Sequence, residues 1–320
     1  MVLWDLQRLR ILRELAERRT LTAVADALGY SPSAISQQMA VLEREAGTAL
    51  MQRAGRGVRL TDAGRLLADH AGLLLAAAEA ARVDLAALSG DVRGTVRAGG
   101  VQSALRHLLI PTLADLLIEQ PGIQLELTEI ELEPAVAELR LGGLDLVVSD
   151  EYVAQPRPRP AGIRREVLLE EPLVVVLPVD HPRSQDQRPM SITSLRDEVW
   201  VASASGTGHH ALVLAACREL GGFDPELRHR SNDADMQLEI VRTARAVALM
   251  PSLAVRLDDP TLAIRHVAGG TIARSLLLLT RDQPTPGALA QVLDSIRTRA
   301  RGLGRTFRET ETLETTSLTR

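Results

Sequence analysis

Leu21-Thr22-Ala23-Val24-Ala25-Asp26-Ala27-Leu28-Gly29-Tyr30-Ser31-Pro32-Ser33-Ala34-Ile35-Ser36-Gln37-Gln38-Met39 decides how the N-terminus folds. Two helices joined by a tight turn must cross closely. Ala25 stands midway along the first, where only a small side chain lets the second pass. Gly29 comes four residues later, where the turn favours a positive φ. Ile35 comes six further on, where a branched side chain plugs the shared core. Ser31-Pro32 supplies an N-cap and a first-turn proline for the second helix, which runs through Ala34, Met39 and Leu42 to Ala46 and stops at Gly47. Thr20 or Thr22 caps the first helix, over 22–28. Upstream, Leu6, Leu9, Leu12, Leu15 and Ala16 recur at helical spacing and predict an amphipathic helix over 4–18.

Working outward, Leu50-Met51-Gln52-Arg53-Ala54-Gly55-Arg56-Gly57-Val58-Arg59-Leu60 places two β-prone pieces around a Gly/Arg tip, which predicts a hairpin or wing. Thr61-Asp62 caps the next helix, over 62–89. Gly64, Ala71, Ala78 and Leu85 form one seven-residue series, and Leu67, Leu74, Ala81 and Leu88 a second, offset by three or four. A helix of that length spans roughly 40 Å, and its continuous seam calls for a partner helix.

Ser89-Gly90-Asp91 breaks this helix, and strands and helices then alternate. Strands are expected at 95–99, 123–130 and 144–149, with helices at 103–119 and 134–141 between them, which implies a mostly parallel α/β sheet. Ala154-Gln155-Pro156-Arg157-Pro158-Arg159-Pro160 reads as a crossover or linker. A second set follows: strands at 163–169, 172–178, 200–202, 246–250 and 276–280, and helices at 208–220, 233–243 and 286–300. The end of the chain, rich in Arg, Thr and Glu, shows no apolar period and is expected to be disordered. The predicted domains are a winged helix-turn-helix head over 1–61, a linker helix over 62–90, a two-subdomain α/β domain over 91–303 and a tail over 304–320.

Composition narrows the function. The chain has 320 residues, 45% of them hydrophobic and 24% charged, within the range of a folded globular protein. Every basic side chain is Arg, so lysine chemistry is excluded. Aromatic residues make up 2%, too few for a stacking platform on single-stranded nucleic acid. One cysteine, Cys217, allows no disulfide framework and no cysteine-rich metal site. Residues 1–66 hold ten Arg against seven acids, while the remainder holds 27 Arg against 34 acids. A basic head on an acidic body is compatible with DNA binding by the head alone. No run of about 18 uncharged apolar residues marks a membrane span. Met1-Val2-Leu3-Trp4-Asp5 has no basic region leading into an apolar core, so a cytoplasmic location is expected.

The helix-turn-helix stretch, with Leu42-Glu43 and the run Gly55-Arg56-Gly57-Val58-Arg59-Leu60-Thr61-Asp62-Ala63-Gly64, resembles the N-terminal signature of LysR-type transcriptional regulators. The likeness is dense over 4–66, and beyond it the order of elements is also similar to that family's. The resemblance implies a sequence-specific duplex-DNA-binding transcription factor that assembles as a dimer or tetramer. It also implies an effector domain resembling type 2 periplasmic binding proteins, which responds to a small molecule. Met51 stands where the family usually carries Phe, and Ala244 and Ala246 lie where it usually carries Gly.

On the head, Ser33, Ser36, Gln37 and Gln38 occupy the first turns of the recognition helix, where Ser suits phosphate and Gln a base edge. Arg53 and Arg56 on the wing suit phosphate or the minor groove, and Thr22 suits phosphate at a helix start. Each has a plainer reading as a cap or a solvated polar face. In the second domain, three helix starts offer free N–H groups: Gln102-Ser103, Ser205 to Thr207, and Ser231-Asn232. Such groups favour an acceptor, so a carboxylate or other anionic group on the effector is expected, although each Ser can equally be only a cap. His209-His210 diverge on a helix and have no third ligand at a fixed spacing, so no metal site is expected. No catalytic constellation and no cofactor motif is visible. The residues alone leave room for an α/β enzyme or small-molecule-binding protein with an accessory helical head.

Overall fold

The computed structural model describes residues 4–54, 57–87, 92–152, 162–186, 188–270, 272–285 and 287–317. The expected breaks at 88–91 and the proline-rich crossover at 153–161 lie outside the described residues.

The head is built as the sequence implies. Helix α1 (Leu6–Arg18) is capped by Asp5, α2 (Leu21–Leu28) by Thr20 and α3 (Pro32–Ala46) by Ser31, each through a side-chain oxygen that accepts a backbone N–H. Gly29 ends α2 with φ +70°, the left-handed conformation the turn needs. Ala25 and Ile35 are fully buried where α2 and α3 cross, among Leu9, Leu12, Met39 and Leu42. Strands β1 (Met51–Ala54) and β2 (Gly57–Leu60) pair antiparallel as the wing. Met51 is half-buried against the head core, so the thioether fills the place expected for a ring. Glu43 Oε1 accepts the backbone N–H groups of Leu50 (2.8 Å) and Met51 (3.1 Å), which fixes the wing's base to α3.

Helix α4 (Asp62–Ala87) begins under Thr61, whose hydroxyl accepts the Gly64 N–H. The expected inter-subunit seam is only partly free. Gly64 packs on the Leu50 backbone, and Leu67, Ala68 and Ala71 complete the core of their own head. A Cβ at Gly72 would collide with the carbonyl oxygen of Leu141, so glycine there lets α4 lie against the C-terminal domain. The remaining apolar face, Leu66, Leu73, Leu74, Ala81 and Leu85, is exposed. Leu88 lies outside the described residues.

The C-terminal domain is two α/β lobes threaded on shared strands. In the first lobe, β3 (Gly94–Gly100) runs parallel to β4 (Ile123–Glu129) and β5 (Leu146–Tyr152). Helices α5 (Gln102–Ala104) and α6 (Ile110–Glu119), joined by a π-turn over 105–109, lie between β3 and β4, and α7 (Leu132–Leu141) lies between β4 and β5. The π-turn falls just before Pro111, whose missing N–H and ring cannot continue α-helical bonding to His107.

Two segments expected as separate strands are one, β6 (Ile163–Pro178), whose second half belongs to the other lobe. Its first half pairs with β11 (Ala273–Arg281), and residues 173–178 pair with β9 (Ala248–Pro251) and β10 (Leu262–His266), all antiparallel. The apolar run continues across Pro172, which sits at the change of partners, so the proline interrupts the ladder without ending the strand. β11 pairs antiparallel with β5 as well, so the sheet is mixed where a mostly parallel one was expected.

The second lobe adds β7 (Val199–Ala202), α8 (Gly208–Ala216), β8 (Glu226–Arg230) and α9 (Ala234–Ala244), with β7 parallel to β8. Strands β8 and β10 were not expected; β8 alternates polar residues with half-buried ones and lacks an apolar run. The turn after α9 is made by Arg245 at φ +55°, and neither Ala244 nor Ala246 adopts positive φ.

The last helix corrects the expected disordered tail. α10 runs over Gly287–Ser317. Val292, Ile296 and Ala300 are buried in the first lobe, and Leu303 and Phe307 continue the same face against that core. The stripe thins to one apolar contact per turn, which is why the charged residues around it masked the period.

Candidate nucleic-acid interface and effector cleft

The exposed side of α3 carries the head's polar groups. Ser33 and Gln37 are exposed, and Ser36 is half-buried. Gln38 is engaged within the head, since its Oε1 accepts from Arg8 Nε at 3.1 Å, while Arg8 also pairs with Glu45. Ser33 Oγ lies 3.0 Å from the capping Ser31 Oγ. Because Thr20 caps α2, Thr22 is exposed with its hydroxyl released from that task. Arg53 lies on β1 opposite Val58, Arg59 is exposed on β2, and Arg56 lies outside the described residues. The head thus presents a helix start and a wing on a rigid core, the arrangement that enters a major groove.

A cleft of about 620 Å³ opens between the two lobes. It lies beyond the carboxyl ends of β3, β4, β5 and β7, where open α/β sheets bind ligands. Of the expected residues, Gln102, Ser103, Thr207 and Asn232 line it; Ser205 and Ser231 do not. Ser205 is exposed on a turn, and Ser231 makes a local turn in which its Oγ accepts the Asp233 N–H at 3.1 Å. Thr207 caps α8 through the His210 N–H, and Asn232 Oδ1 accepts from the Ala204 N–H at 2.9 Å. Gln102 reaches across the cleft, where its Oε1 accepts the Ala234 N–H at the start of α9 (3.1 Å). Arg106 and Asp235 pair across the same gap at 2.6 Å.

The floor of the cleft is an ionic cluster that sequence reasoning missed. Arg274 on β11 is buried and donates through Nε to Glu171 Oε1 (2.7 Å), through Nη1 to Asp150 Oδ2 (3.0 Å) and through Nη2 to Ser103 Oγ (2.6 Å). Glu171, fully buried on β6, also accepts the Leu253 N–H at 2.7 Å. These bonds tie the first lobe, the shared strands and the second lobe together. Burial pushes the Arg274 guanidinium down, and Glu171, Tyr152 and Asp150 more than reverse it, so its pKa stands above the ordinary arginine value. Burial also raises the Tyr152 phenol, which keeps it neutral.

His209 is buried beside Tyr152, with ring centroids 6.0 Å apart. Its Nε2 lies 2.7 Å from the Leu249 carbonyl and its Nδ1 2.9 Å from Ser203 Oγ. Burial lowers its pKa, so the neutral ring donates from Nε2 to the carbonyl and accepts at Nδ1. Among the described residues no cluster of three or more His, Cys, Asp or Glu is arranged to hold a metal ion. Gln237 is buried in the cleft wall. Its Nε2 donates to the Ser231 carbonyl at 2.6 Å, which fixes the amide's orientation, and its Oε1 has no donor among the described residues. An unpaired buried acceptor costs about 1–3 kcal/mol.

Comparison with known proteins agrees with both halves of this description. Residues 6–65 match the family model for bacterial regulatory helix-turn-helix proteins of the lysR family, and residues 89–301 match the LysR substrate binding domain. A probable hydrogen peroxide-inducible genes activator of Mycobacterium avium is 30% identical over 250 residues, 78% of each chain. The RuBisCO operon transcriptional regulator of Allochromatium vinosum is 30% identical over 295 residues, 90% of this chain and 94% of that one. Full-length OxyR of Pseudomonas aeruginosa superposes with a TM-score of 0.69 at 21% identity, covering 93% of this chain and 97% of that one. No helix among the described residues is long and apolar enough to cross a membrane. With its helix-turn-helix head, linker helix and bilobed domain, the chain belongs to the LysR family of DNA-binding transcriptional regulators.

Proposed function

We propose that α3 of this regulator reads base edges in the major groove through Ser33 and Gln37, that Thr22 and the wing arginines Arg53 and Arg56 hold phosphate, and that a small molecule in the interlobe cleft sets the regulatory state. The exposed start of α3 on a buried Ala25–Gly29–Ile35 crossing is the observation that carries the DNA half of this reading. Gln38 contributes less than its neighbour because Arg8 already holds its acceptor. The functional units are the head over 1–61, the linker over 62–90 and the cleft domain over 91–303, and they work in the cytoplasm beside the DNA.

The ligand acts by differential affinity for two arrangements of the lobes. The Gln102–Ala234 and Arg106–Asp235 links, and Ser103 on Arg274, are the contacts that a ligand in this cleft would strengthen or replace. A thiol switch is a poor alternative despite the likeness to peroxide-inducible activators. A disulfide needs two thiols, and Cys217 is the single cysteine of these 320 residues. It is fully buried, and burial pushes its thiol up to about 12, so little reactive thiolate forms.

Competition binding across operator variants tests the DNA half. Gln37→Ala is expected to lose about 1–3 kcal/mol of discrimination at one base position in each half-site. Arg53→Ala is expected to weaken every sequence about equally and to flatten the salt dependence. Unchanged affinity and specificity in both variants would refute this assignment.

A further inference from the structure

The cleft walls are acidic and hold an unmet acceptor. Five carboxylates line it, those of Glu129, Glu131, Glu133, Asp150 and Asp233, against one guanidinium, Arg274. That guanidinium is already neutralised by Asp150 and Glu171. Helix chemistry accounts for part of the acid: Glu131 and Glu133 stand at the start of α7, and Asp233 caps α9 through the Met236 N–H. It does not account for Glu129, at the end of β4, and it has no bearing on Gln237. Gln237 is an independent observation: it is 97% buried, lines the same cleft, and its Oε1 lacks a donor. Carboxylates on both lobes raise the local concentration of cations and repel anions, and the amide oxygen asks for an N–H or O–H.

We propose that the effector of this cleft is an organic cation rich in N–H donors, of the primary-amine or amidine class, with its charge held between Glu129 of one lobe and Asp233 of the other. Bridging carboxylates on opposite lobes also gives such a cation a means of favouring the closed arrangement. The inference rests on the reading of the cleft as the effector site. The helix starts on their own favour an acceptor; the side chains around them outweigh that preference, because full charges act over a longer range than partial ones.

The test uses three probes of one chain length on the full protein: putrescine, succinate and 1,4-butanediol, each at millimolar concentration and constant ionic strength. Putrescine is expected to raise the melting temperature by on the order of 3 °C, with no shift from the other two. In the Glu129→Gln/Asp233→Asn double variant, the half-saturating putrescine concentration is expected to rise about tenfold. Asn at 233 keeps an acceptor for the Met236 N–H, and the variant's melting temperature without probe shows whether the fold is kept. A shift with succinate, no shift with putrescine, or a putrescine shift that the double variant leaves unchanged would overturn the proposal. DNA binding by the wild-type protein, measured alongside, separates the outcomes. If DNA binds and putrescine does not, the amine assignment fails alone; if DNA does not bind, the regulator reading fails first.

Discussion

Arg274→Leu is expected to destabilise the cleft domain by roughly 3–5 kcal/mol, because it strands the fully buried Glu171 without its partner. In a domain of this size that is a fall in melting temperature on the order of 10 °C. The Leu253 N–H remains on Glu171 but supplies no charge, and Ser103 loses the donor that holds its hydroxyl. Replacing both members, Arg274→Leu with Glu171→Leu, is expected to recover much of the loss, since a buried ion pair gives up its desolvation cost when apolar groups replace it. Thermal unfolding of the three proteins distinguishes the cases. A single variant as stable as the wild type would show that the cluster does not hold the hinge.

The second large effect concerns assembly. Leu74→Glu is expected to dissociate the oligomer and to weaken operator binding by about 10²–10⁴-fold. Leu74, Ala78, Ala81 and Leu85 lie on one side of α4 at spacings of four, three and four, and the two leucines are exposed. A long helix with such a face buries it against another helix, and a carboxylate in that contact is costly. The loss of affinity follows because two joined heads bind one site as an intramolecular pair, whereas separated heads bind independently. Light scattering with a binding titration measures both quantities. A wild-type monomer, or a Leu74→Glu oligomer with full affinity, would contradict this account of the linker.

The sequence revealed the head more fully than the cleft, for physical reasons. Ala25, Gly29, Ile35 and the Ser31-Pro32 cap are local: each constrains a turn or a crossing within twenty residues, so spacing alone reports them. The cleft's floor joins Ser103, Asp150, Glu171 and Arg274, which are far apart in the chain, and no spacing announces that meeting. A signal was nevertheless present. Arg274 precedes the apolar run Leu276–Leu279, Asp150 follows Leu146-Val147-Val148, and Glu170-Glu171 interrupt two apolar stretches. Charges placed at the ends of buried strands need partners, and read together these three point to one another. The helix starts were legible as features but their roles were not. Ser231 serves its own turn, and Ser103 is committed to Arg274. In α4, the heptad pattern could not separate the half that packs within its own chain from the half left exposed, because both use Leu and Ala at the same spacing.

The most direct test of the regulator reading is a footprint of the full protein on duplex DNA from upstream of its own coding region. Two paired α3 helices are expected to protect two half-sites whose centres lie about 10–10.5 base pairs apart or a multiple of that. Protection should fade steeply as salt rises, and it should change in extent or spacing when the cleft ligand is added. Uniform protection, or none, at low salt would contradict the account.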